Sequence, residues 1–248
     1  MAHYVISIDQ STAATKAILF NDRCERVHRV DLPHRQIHLK PDWVEHDPEE
    51  IFEKVLKVIQ ATLSDTGVLP EEIAALSITN QRETTLLWDA AGHPIANAIV
   101  WQCSRAKDIT DLPEVLLNKA YIEHATGLTL SPYFSAAKAR WIFDRSENKR
   151  NLFFGTIDSW LIYKLTGEHF TDYSNASRTQ LFNIHTLEWD REILRIFGLE
   201  QVSMPTVLAA DAIFGYTTAN GIFNTPIPIT GVIGDSQAAL FGQGCLLP

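Results

Sequence analysis

Two acidic residues stand at the ends of apolar runs that we predict to be buried strands. Asp235 follows the run 228–234 and precedes a helix-like stretch, and Asp9 ends the run 4–9. In open α/β sheets ligands bind at the carboxyl ends of strands, so both acids are expected in one site built from the two ends of the chain. A carboxylate there can act as a general base. The alternative is that Asp235 is the N-cap of the helix that follows it, and the two roles could coexist.

A short turn of small and hydroxyl-bearing residues follows Asp9. Backbone N–H groups and hydroxyls in such a turn can bind a phosphate, and the charge of Lys16 could add to the attraction. The segment that would do so includes Thr12, Ala13 and Ala14. An ordinary hairpin with a solvated Asp9 has the same spacing, so the turn alone does not decide between the two.

Arg82 and Glu83 follow another buried strand, predicted over 73–79. A guanidinium beside a carboxylate can bind a polyol, because the guanidinium donates to a hydroxyl oxygen and the carboxylate accepts from another hydroxyl. The alternative is a surface ion pair, which is the more common role of such a dipeptide. The sequence therefore indicates a candidate polyol site and leaves the alternative open.

Aromatic residues offer a third set of candidates. Trp101 could cover a carbon chain with its ring, and Tyr133 could bond a hydroxyl through its phenol. Core packing is the usual role of a single aromatic residue, and it is our prediction for four others: Trp88, Trp141, Trp160 and Phe182.

Composition excludes several classes of protein. The chain has 248 residues, 46% hydrophobic content and a net charge of -9, which argues against nucleic acid as a partner. It has no apolar run of about 20 residues and no basic leader, so we expect neither a membrane span nor a signal peptide.

Its three cysteines lack metal-site spacing, and we predict buried thiols in a reducing, cytoplasmic protein. His34 and His38 lack the further ligands of a zinc site, and we assign them to the surface or the core.

The order of the elements predicts a mixed α/β fold. Strands are expected at 4–9, 15–21, 25–32, 73–79, 86–88, 98–101 and 227–233. Helices are expected from an N-cap at Asp47 to about Leu63, through most of 107–150 with breaks at Gly127 and Pro132, over 158–165 and 191–197, and from about Ser236. Residues 171–190 are expected to be irregular. A mixed central sheet with helices on its faces accounts for this order.

These segments together resemble the FGGY family of carbohydrate kinases. The resemblance is carried by residues 9–12, 40–48, 78–85, 97–103, 133–145, 155–162, 171–178, 181–187 and 234–243, in that order along the chain. It implies an actin-like, ribonuclease-H-like domain. It also implies that 1–248 is the N-terminal, substrate-side domain, and that a C-terminal domain outside this chain holds most of the ATP.

The resemblance implies a role for each candidate. The polyol site would comprise Arg82, Glu83, Trp101, Tyr133, Ser236 and the base, Asp235. Thr12, Ala13, Ala14 and Lys16 would contact the nucleotide phosphates, and Asp9 would order Mg²⁺ through water. The expected reaction is ATP-dependent phosphorylation of a primary hydroxyl of a small polyol such as glycerol.

Three features differ from the family pattern. Ser11 replaces the usual glycine, and Ala13 and Ala14 leave fewer hydroxyl-bearing residues in the turn that follows. Lys16 replaces an arginine that could bind phosphate in a bidentate manner. Ser236 replaces a glutamine after the base, which could enlarge the pocket.

Ser236 favours an alternative, a kinase for a longer polyol or a ketose such as xylulose. The thinned turn favours another, a non-catalytic sugar-binding protein on the same scaffold. We expect the full-length protein to be a homo-oligomer, and the isolated fragment to be inactive as a kinase.

Overall fold

The computed structural model describes residues 3–245, and the following bounds refer to that part of the chain. The strands are β1 Tyr4–Gln10, β2 Ala14–Asn21, β3 Arg26–Pro33, β4 Ile37–Lys40, β5 Trp43–His46, β6 Ile73–Asn80, β7 Thr85–Trp88, β8 Ala98–Ile99, β9 Phe153–Thr156, β10 Phe170–Asp172, β11 Phe182–Asn183, β12 Glu188–Trp189, β13 Thr206–Leu208, β14 Ile213–Thr217 and β15 Ile227–Gly234. The α-helices are α1 Pro48–Thr66, α2 Lys107–Thr110, α3 Pro113–Leu117, α4 Lys119–Thr126, α5 Ser135–Arg145, α6 Ile157–Thr166, α7 Tyr173–Ala176, α8 Arg191–Ile196 and α9 Asp235–Gly242. A 3₁₀ turn covers Pro70–Glu72.

A six-stranded mixed sheet is the centre of the fold, in the order β14-β15-β6-β1-β2-β3. Strands β15, β6 and β1 are parallel, while β14, β2 and β3 pair antiparallel with their neighbours. Side chains alternate along β1, so that Ile6 and Ile8 are fully buried on one face while Ser7 and Asp9 point to the other. The three parallel strands therefore end together at one edge of the sheet.

Helices lie on both faces of this sheet. On the Ile6 face, α1 and α6 pack into one continuous core. Asp47 caps α1 by accepting from the N–H groups of Glu49 and Glu50, and Gly67 ends it in the left-handed conformation. On the opposite face, α9 packs near β6 and β15.

A second, five-stranded antiparallel sheet has the order β4-β5-β8-β7-β9 and packs with α5 and the neighbouring short helices into a separate core. Strands β6 and β7 are separated by the four residues 81–84, which carry Arg82 and Glu83. The link between the two sheets thus runs through the candidate site.

Most predicted elements are confirmed, with small shifts of their ends. The first three strands, the strand at 73–79, the strand before Asp235 and the capped start of α1 are all present. Helix α1 continues to Thr66, because the left-handed residue that ends it is Gly67. The strand predicted over 98–101 is only two residues long, and the region 107–126 divides into three short helices.

Other expectations are wrong or incomplete. Residues 171–190 contain the end of β10, helix α7 and the hairpin β11–β12. Cys103 is buried as expected, but Cys24 and Cys245 are exposed. Three of the four aromatic residues assigned to the core are buried, and Trp141 is half-buried against Trp43. Among residues 3–245, no helix combines the length and apolar character needed to cross a bilayer.

Asp158 is a buried acid that makes the stability of the fold depend on pH. It accepts hydrogen bonds from Thr156 at 2.5 Å and Thr171 at 2.6 Å. Burial, followed by the nearby charge of Asp172, raises the pKa of Asp158 to about 7. The unfolded carboxyl titrates near pH ~4. At pH values between these two pKa values, the native state therefore keeps a proton on Asp158 that the unfolded state has lost. This contribution to stability is complete below pH ~4 and is lost as the pH rises through 7.

The Tm of Asp158→Asn is compared with that of wild type at two pH values. The Tm difference, variant minus wild type, is expected to be at least about 3 °C larger at about pH 8 than at about pH 5, because asparagine stays neutral. Calorimetry of the chain at both pH values measures this. Asp111→Asn, which changes an exposed acid, is the control and should show the same Tm difference at both. An equal effect of Asp158→Asn at both pH values would contradict the assignment.

Candidate active site

Three segments of the candidate site leave the central sheet at the same edge. In the parallel register Asp9 lies beside Thr79, and Gly234 lies beside Asn80. The residues that follow β1, β6 and β15 are therefore neighbours in space although they are far apart in sequence. The structure brings the two ends of the chain together, as the strand-end argument predicts.

A cavity of about 230 Å³ lies at this edge. Its lining residues are Thr12, Gln81, Arg82, Glu83, Trp101, Tyr133 and Asp235. Six of these seven were candidates from the sequence, and Gln81 is the addition. Larger clefts exist, such as one of about 540 Å³ beside α1, but the one at the strand ends gathers the chemically capable groups.

Asp235 is the first residue of α9, and Gly234 occupies the N-cap position. The N-cap role considered for Asp235 is therefore wrong. Its carboxylate accepts hydrogen bonds from the Ser236 N–H at 2.7 Å and from Arg82 Nε at 3.1 Å. A Cβ at Gly234 would lie 2.6 Å from Arg82 Cδ, so glycine permits the approach of the arginine. The side chain of Asp235 stays 47% exposed and can reach a ligand.

Arg82 binds the first turn of α9 through all three of its nitrogen positions. Besides Asp235, it donates to Ser236 Oγ at 2.7 Å and to Gln237 Oε1 at 3.3 Å. Ser236 is not among the cavity-lining residues, and its hydroxyl accepts from Arg82. The role of Ser236 in substrate choice stays a prediction.

Glu83 lies at the base of the cavity and is 2% exposed. Its backbone is left-handed, with φ of 62°, and its carbonyl accepts from the hydroxyls of Thr85 and Ser135. Its carboxylate accepts from Arg178 Nε at 2.6 Å. Arg178 was not a candidate from the sequence. It lies in a segment that resembles the family, but no spacing links it to Glu83, 95 residues away.

The ion pair between buried Glu83 and partly exposed Arg178 gives a prediction for stability. Arg178→Met is expected to lower the unfolding free energy by about 2 kcal/mol, because it removes the cation that is hydrogen-bonded to a buried carboxylate. Glu83→Gln in the same chain should restore part of the loss.

Urea unfolding of the single and double variants measures this effect. Arg195→Met removes an exposed arginine that pairs with exposed Glu192 and should change little. Additive losses in the Arg178→Met, Glu83→Gln double variant would contradict the pairing.

Trp101 and Tyr133 form an aromatic wall, with ring centroids 5.7 Å apart in an edge-to-face arrangement. Trp101 Nε1 donates to Thr12 Oγ1 at 3.0 Å, which connects this wall to the turn after β1. Burial, and then the charge of Glu83, raises the pKa of the Tyr133 phenol. Tyr133 therefore stays protonated at neutral pH and can donate a hydrogen bond.

The turn after β1 is closed by Ser11, whose N–H and hydroxyl both donate to the Ala14 carbonyl. Lys16 lies opposite Asp9 across the β1–β2 pair, and its Nζ is 2.6 Å from Asp9 Oδ2. The structure thus places Thr12 at the cavity and pairs Lys16 with the acid. Ala13, Ala14 and Lys16 are not among the cavity-lining residues, and their phosphate contacts stay predictions.

A buried polar network lies next to the turn after β1. Gln81 Nε2 donates to Gln10 Oε1 at 3.0 Å and lies 3.2 Å from His46 Nδ1, and its Oε1 accepts from Thr84. Burial lowers the pKa of His46 to about 3, so the ring is neutral. His46 is thus a buried core residue. Single-sequence patterns give no signal for this network, because its members come from β1, β5 and the link 81–84.

The donor set around Asp9 limits how a metal could bind. Among residues 3–245, no group of three or more His, Cys, Asp or Glu side chains is placed to hold an ion. Mg²⁺ in phosphate-binding sites usually takes one or two carboxylates together with water and phosphate oxygens. A single half-buried carboxylate at Asp9 fits that mode, provided that Lys16, which pairs with its Oδ2 in this structure, gives way to the ion.

The comparisons with known proteins identify the class. The chain matches the FGGY family of carbohydrate kinases, N-terminal domain, over residues 4–242. It belongs to that family, and the resemblance found in the sequence is confirmed. The expected actin-like, ribonuclease-H-like sheet with helices on both faces is likewise confirmed.

Two glycerol kinases are similar to nearly the whole of this chain. Glycerol kinase 1 of Thermotoga maritima is 51% identical over 250 residues, which cover 97% of this chain and 51% of that protein. Glycerol kinase of Halothermothrix orenii is 48% identical, covering 98% of this chain and 50% of its own length. The chain spans about half the length of these relatives.

Solved structures share the fold. The crystal structure of Plasmodium falciparum glycerol kinase with ADP has a TM-score of 0.89 and 34% identity, over 97% of this chain and 50% of that one. The xylulose kinase of Rhodospirillum rubrum has the same TM-score of 0.89 at 20% identity, over 99% of this chain and 51% of its own, and shows the fold alone.

Proposed function

We propose that the full-length protein is an ATP-dependent polyol kinase that converts glycerol to glycerol 3-phosphate. The present chain would be its N-terminal, substrate-side domain, and a C-terminal domain would hold most of the ATP. The observation that carries the proposal is the convergence of Arg82, Glu83, Trp101, Tyr133 and Asp235 around one cavity. Glycerol kinases of 46–51% identity support the choice of glycerol.

The lining groups suit a small polyol. Arg82 would donate to a hydroxyl oxygen, Glu83 would accept from a hydroxyl, and Tyr133 would donate its phenolic proton. Trp101 would cover the carbon atoms with its ring. Because Glu83 and Trp101 are fixed by Arg178 and Thr12, little ordering would be required on binding.

The reaction needs a base for the attacking hydroxyl, and we assign that role to Asp235. The hydroxyl oxygen forms a bond to the γ-phosphorus, its proton passes to Asp235, and the bond from phosphorus to the β–γ bridging oxygen breaks to release ADP. Arg82 and the Ser236 N–H orient the carboxylate. Catalysis would otherwise consist of positioning and electrostatic stabilisation.

The turn after β1 would bind the transferred phosphate. The Thr12 hydroxyl and nearby N–H groups of Ala13 and Ala14 would donate to it, and Lys16 would add charge. Asp9 would hold Mg²⁺ through water, and that ion when bound would neutralise phosphate charge. Closure of the two domains would exclude water, which otherwise competes as the acceptor.

A substrate panel tests this proposal. The full-length protein is supplied with ATP, Mg²⁺ and glycerol, a longer polyol or xylulose, and ADP release is followed by a coupled assay. We expect the highest kcat/KM with glycerol. A higher value with xylulose would favour the ketose kinase that Ser236 suggests, and binding without turnover would favour the non-catalytic alternative.

Some expectations stay predictions. These are the cytoplasmic location, the homo-oligomeric state of the full-length protein, and the absence of nucleic-acid and membrane partners. We also expect no kinase activity from the chain alone, because the proposed ATP-binding half of the cleft is not part of it.

A further inference from the structure

Lys138 is a fully buried cation in the first half of α5. Its neighbours along the helix, Ala136, Ala137 and Ala139, are buried apolar residues of the second core. Burial lowers the pKa of Lys138 to about 7, opposed by the attraction of Glu83 and Cys103. An ammonium in such surroundings needs an explanation, since the proposed reaction does not use it.

Stability does not explain the presence of this lysine. Removing a charge from water is costly, and replacing a buried ion by an apolar residue of similar size is often neutral or stabilising. Methionine has a similar length and suits irregular apolar spaces. A core that only needed filling would therefore hold an apolar residue at this position.

The contacts of Lys138 point to the polyol site. Its Nζ donates to the carbonyl of Tyr133 and, at 3.3 Å, to the carbonyl of Phe134. Nζ also lies 5.8 Å from the centroid of the Tyr133 ring. The lysine thus reaches back from the helix to the segment that carries the phenol of the cavity.

Glu83 connects Lys138 to the other side of the site. The charge of Glu83 attracts the ammonium, and the Glu83 carbonyl accepts from Ser135 at the start of the same helix. Arg178, which pairs with Glu83, also lies over the Phe134 ring with Cζ 5.0 Å from its centroid. Arg178 therefore pairs directly with the Glu83 carboxylate, Lys138 is attracted by the same charge from beyond ion-pair distance, and both cations contact the segment 133–134.

We propose that Lys138 is a positioning residue of the polyol site, which fixes Tyr133 and Glu83 relative to each other without touching the substrate. The inference rests on the proposed function, because it needs a polyol in this cavity. It separates two groups of contacts. Tyr133 and Glu83 depend on Lys138, while Trp101 is held by Thr12, and Asp235 by Arg82 and the Ser236 N–H.

The test uses Lys138→Met in the full-length protein. We expect KM for glycerol to rise about tenfold with kcat within about twofold, because binding is weakened equally in the ground and transition states. KM for ATP and Tm should stay near their wild-type values. Lys138→Gln keeps an N–H donor without the charge, and should fall between wild type and Lys138→Met.

A double-variant cycle with Tyr133→Phe examines the route of the effect. Because Lys138 acts through Tyr133, Lys138→Met should raise KM for glycerol less in the Tyr133→Phe background than in wild type. Lys119→Met is the control, since Lys119 is exposed and pairs with Glu123 at 3.8 Å.

Three results would overturn the inference. An unchanged glycerol KM in both Lys138 variants would remove it while leaving the proposed function intact. A joint loss of kcat, ATP affinity and Tm would show a purely structural role. A wild-type protein that neither binds nor phosphorylates glycerol would overturn the proposed function, and this inference with it.

Discussion

Asp235→Asn in the full-length protein is expected to lower kcat for glycerol phosphorylation by about 10³-fold, within the usual range for a general base. The physical reason is that the amide oxygen has the shape of the carboxylate oxygen but cannot accept the hydroxyl proton at neutral pH. The hydrogen bond from Arg82 to this oxygen can be kept, so KM for glycerol should change by less than about fivefold.

Steady-state kinetics together with calorimetric titration of glycerol measure the two effects separately. Asp211→Asn changes an exposed acid that lies at a different cavity, and serves as the control. A kcat within about threefold of wild type would assign the base to another group. An equal loss of binding and turnover would indicate that Asp235 holds the substrate and does not take its proton.

Arg82→Met is expected to have the second largest effect, an increase in the glycerol Kd of about 100-fold. Two losses contribute, each of about 1–3 kcal/mol. The proposed donor to the polyol is removed, and Asp235, Ser236 and Gln237 lose the group that holds the first turn of α9 against the end of β6. kcat should fall as well, because the base is no longer oriented.

Arg82→Lys distinguishes charge from geometry. An ammonium is a point charge and cannot make three divergent contacts in the plane of a guanidinium, so this variant should regain only a small part of the affinity. Arg191→Met, which changes an exposed arginine at the start of α8, is the control. Full recovery with lysine would show that only charge is needed at this position.

The parts of the site that the sequence could predict are those attached to strand ends. Asp9, Arg82 and Asp235 each follow an apolar run, and parallel strands place their carboxyl ends at one edge. The helix start at Asp47 likewise follows from local chemistry, since caps are short-range interactions, whereas the end of this helix was predicted about three residues early, near Leu63. The mixed α/β class followed from the order of the elements, and its actin-like form followed from the family resemblance.

The parts that could not be predicted depend on contacts between distant segments. Arg178 reaches Glu83 across 95 residues, and the Gln81–His46 network joins separate strands. The N-cap role considered for Asp235 was wrong by one residue of register, because Gly234 occupies the cap. The role of Asp235 as the base stays a prediction. Strands β4 and β5 were also not predicted.

The central claim is that this chain supplies the polyol side of a kinase, and one measurement tests it most directly. The full-length protein is incubated with ATP, Mg²⁺ and glycerol, and the products are followed by ³¹P NMR. The proposed function predicts one glycerol 3-phosphate for each ADP formed, and its loss in Asp235→Asn. ADP release with inorganic phosphate as the sole other product, or no glycerol-dependent ADP at all, would contradict it.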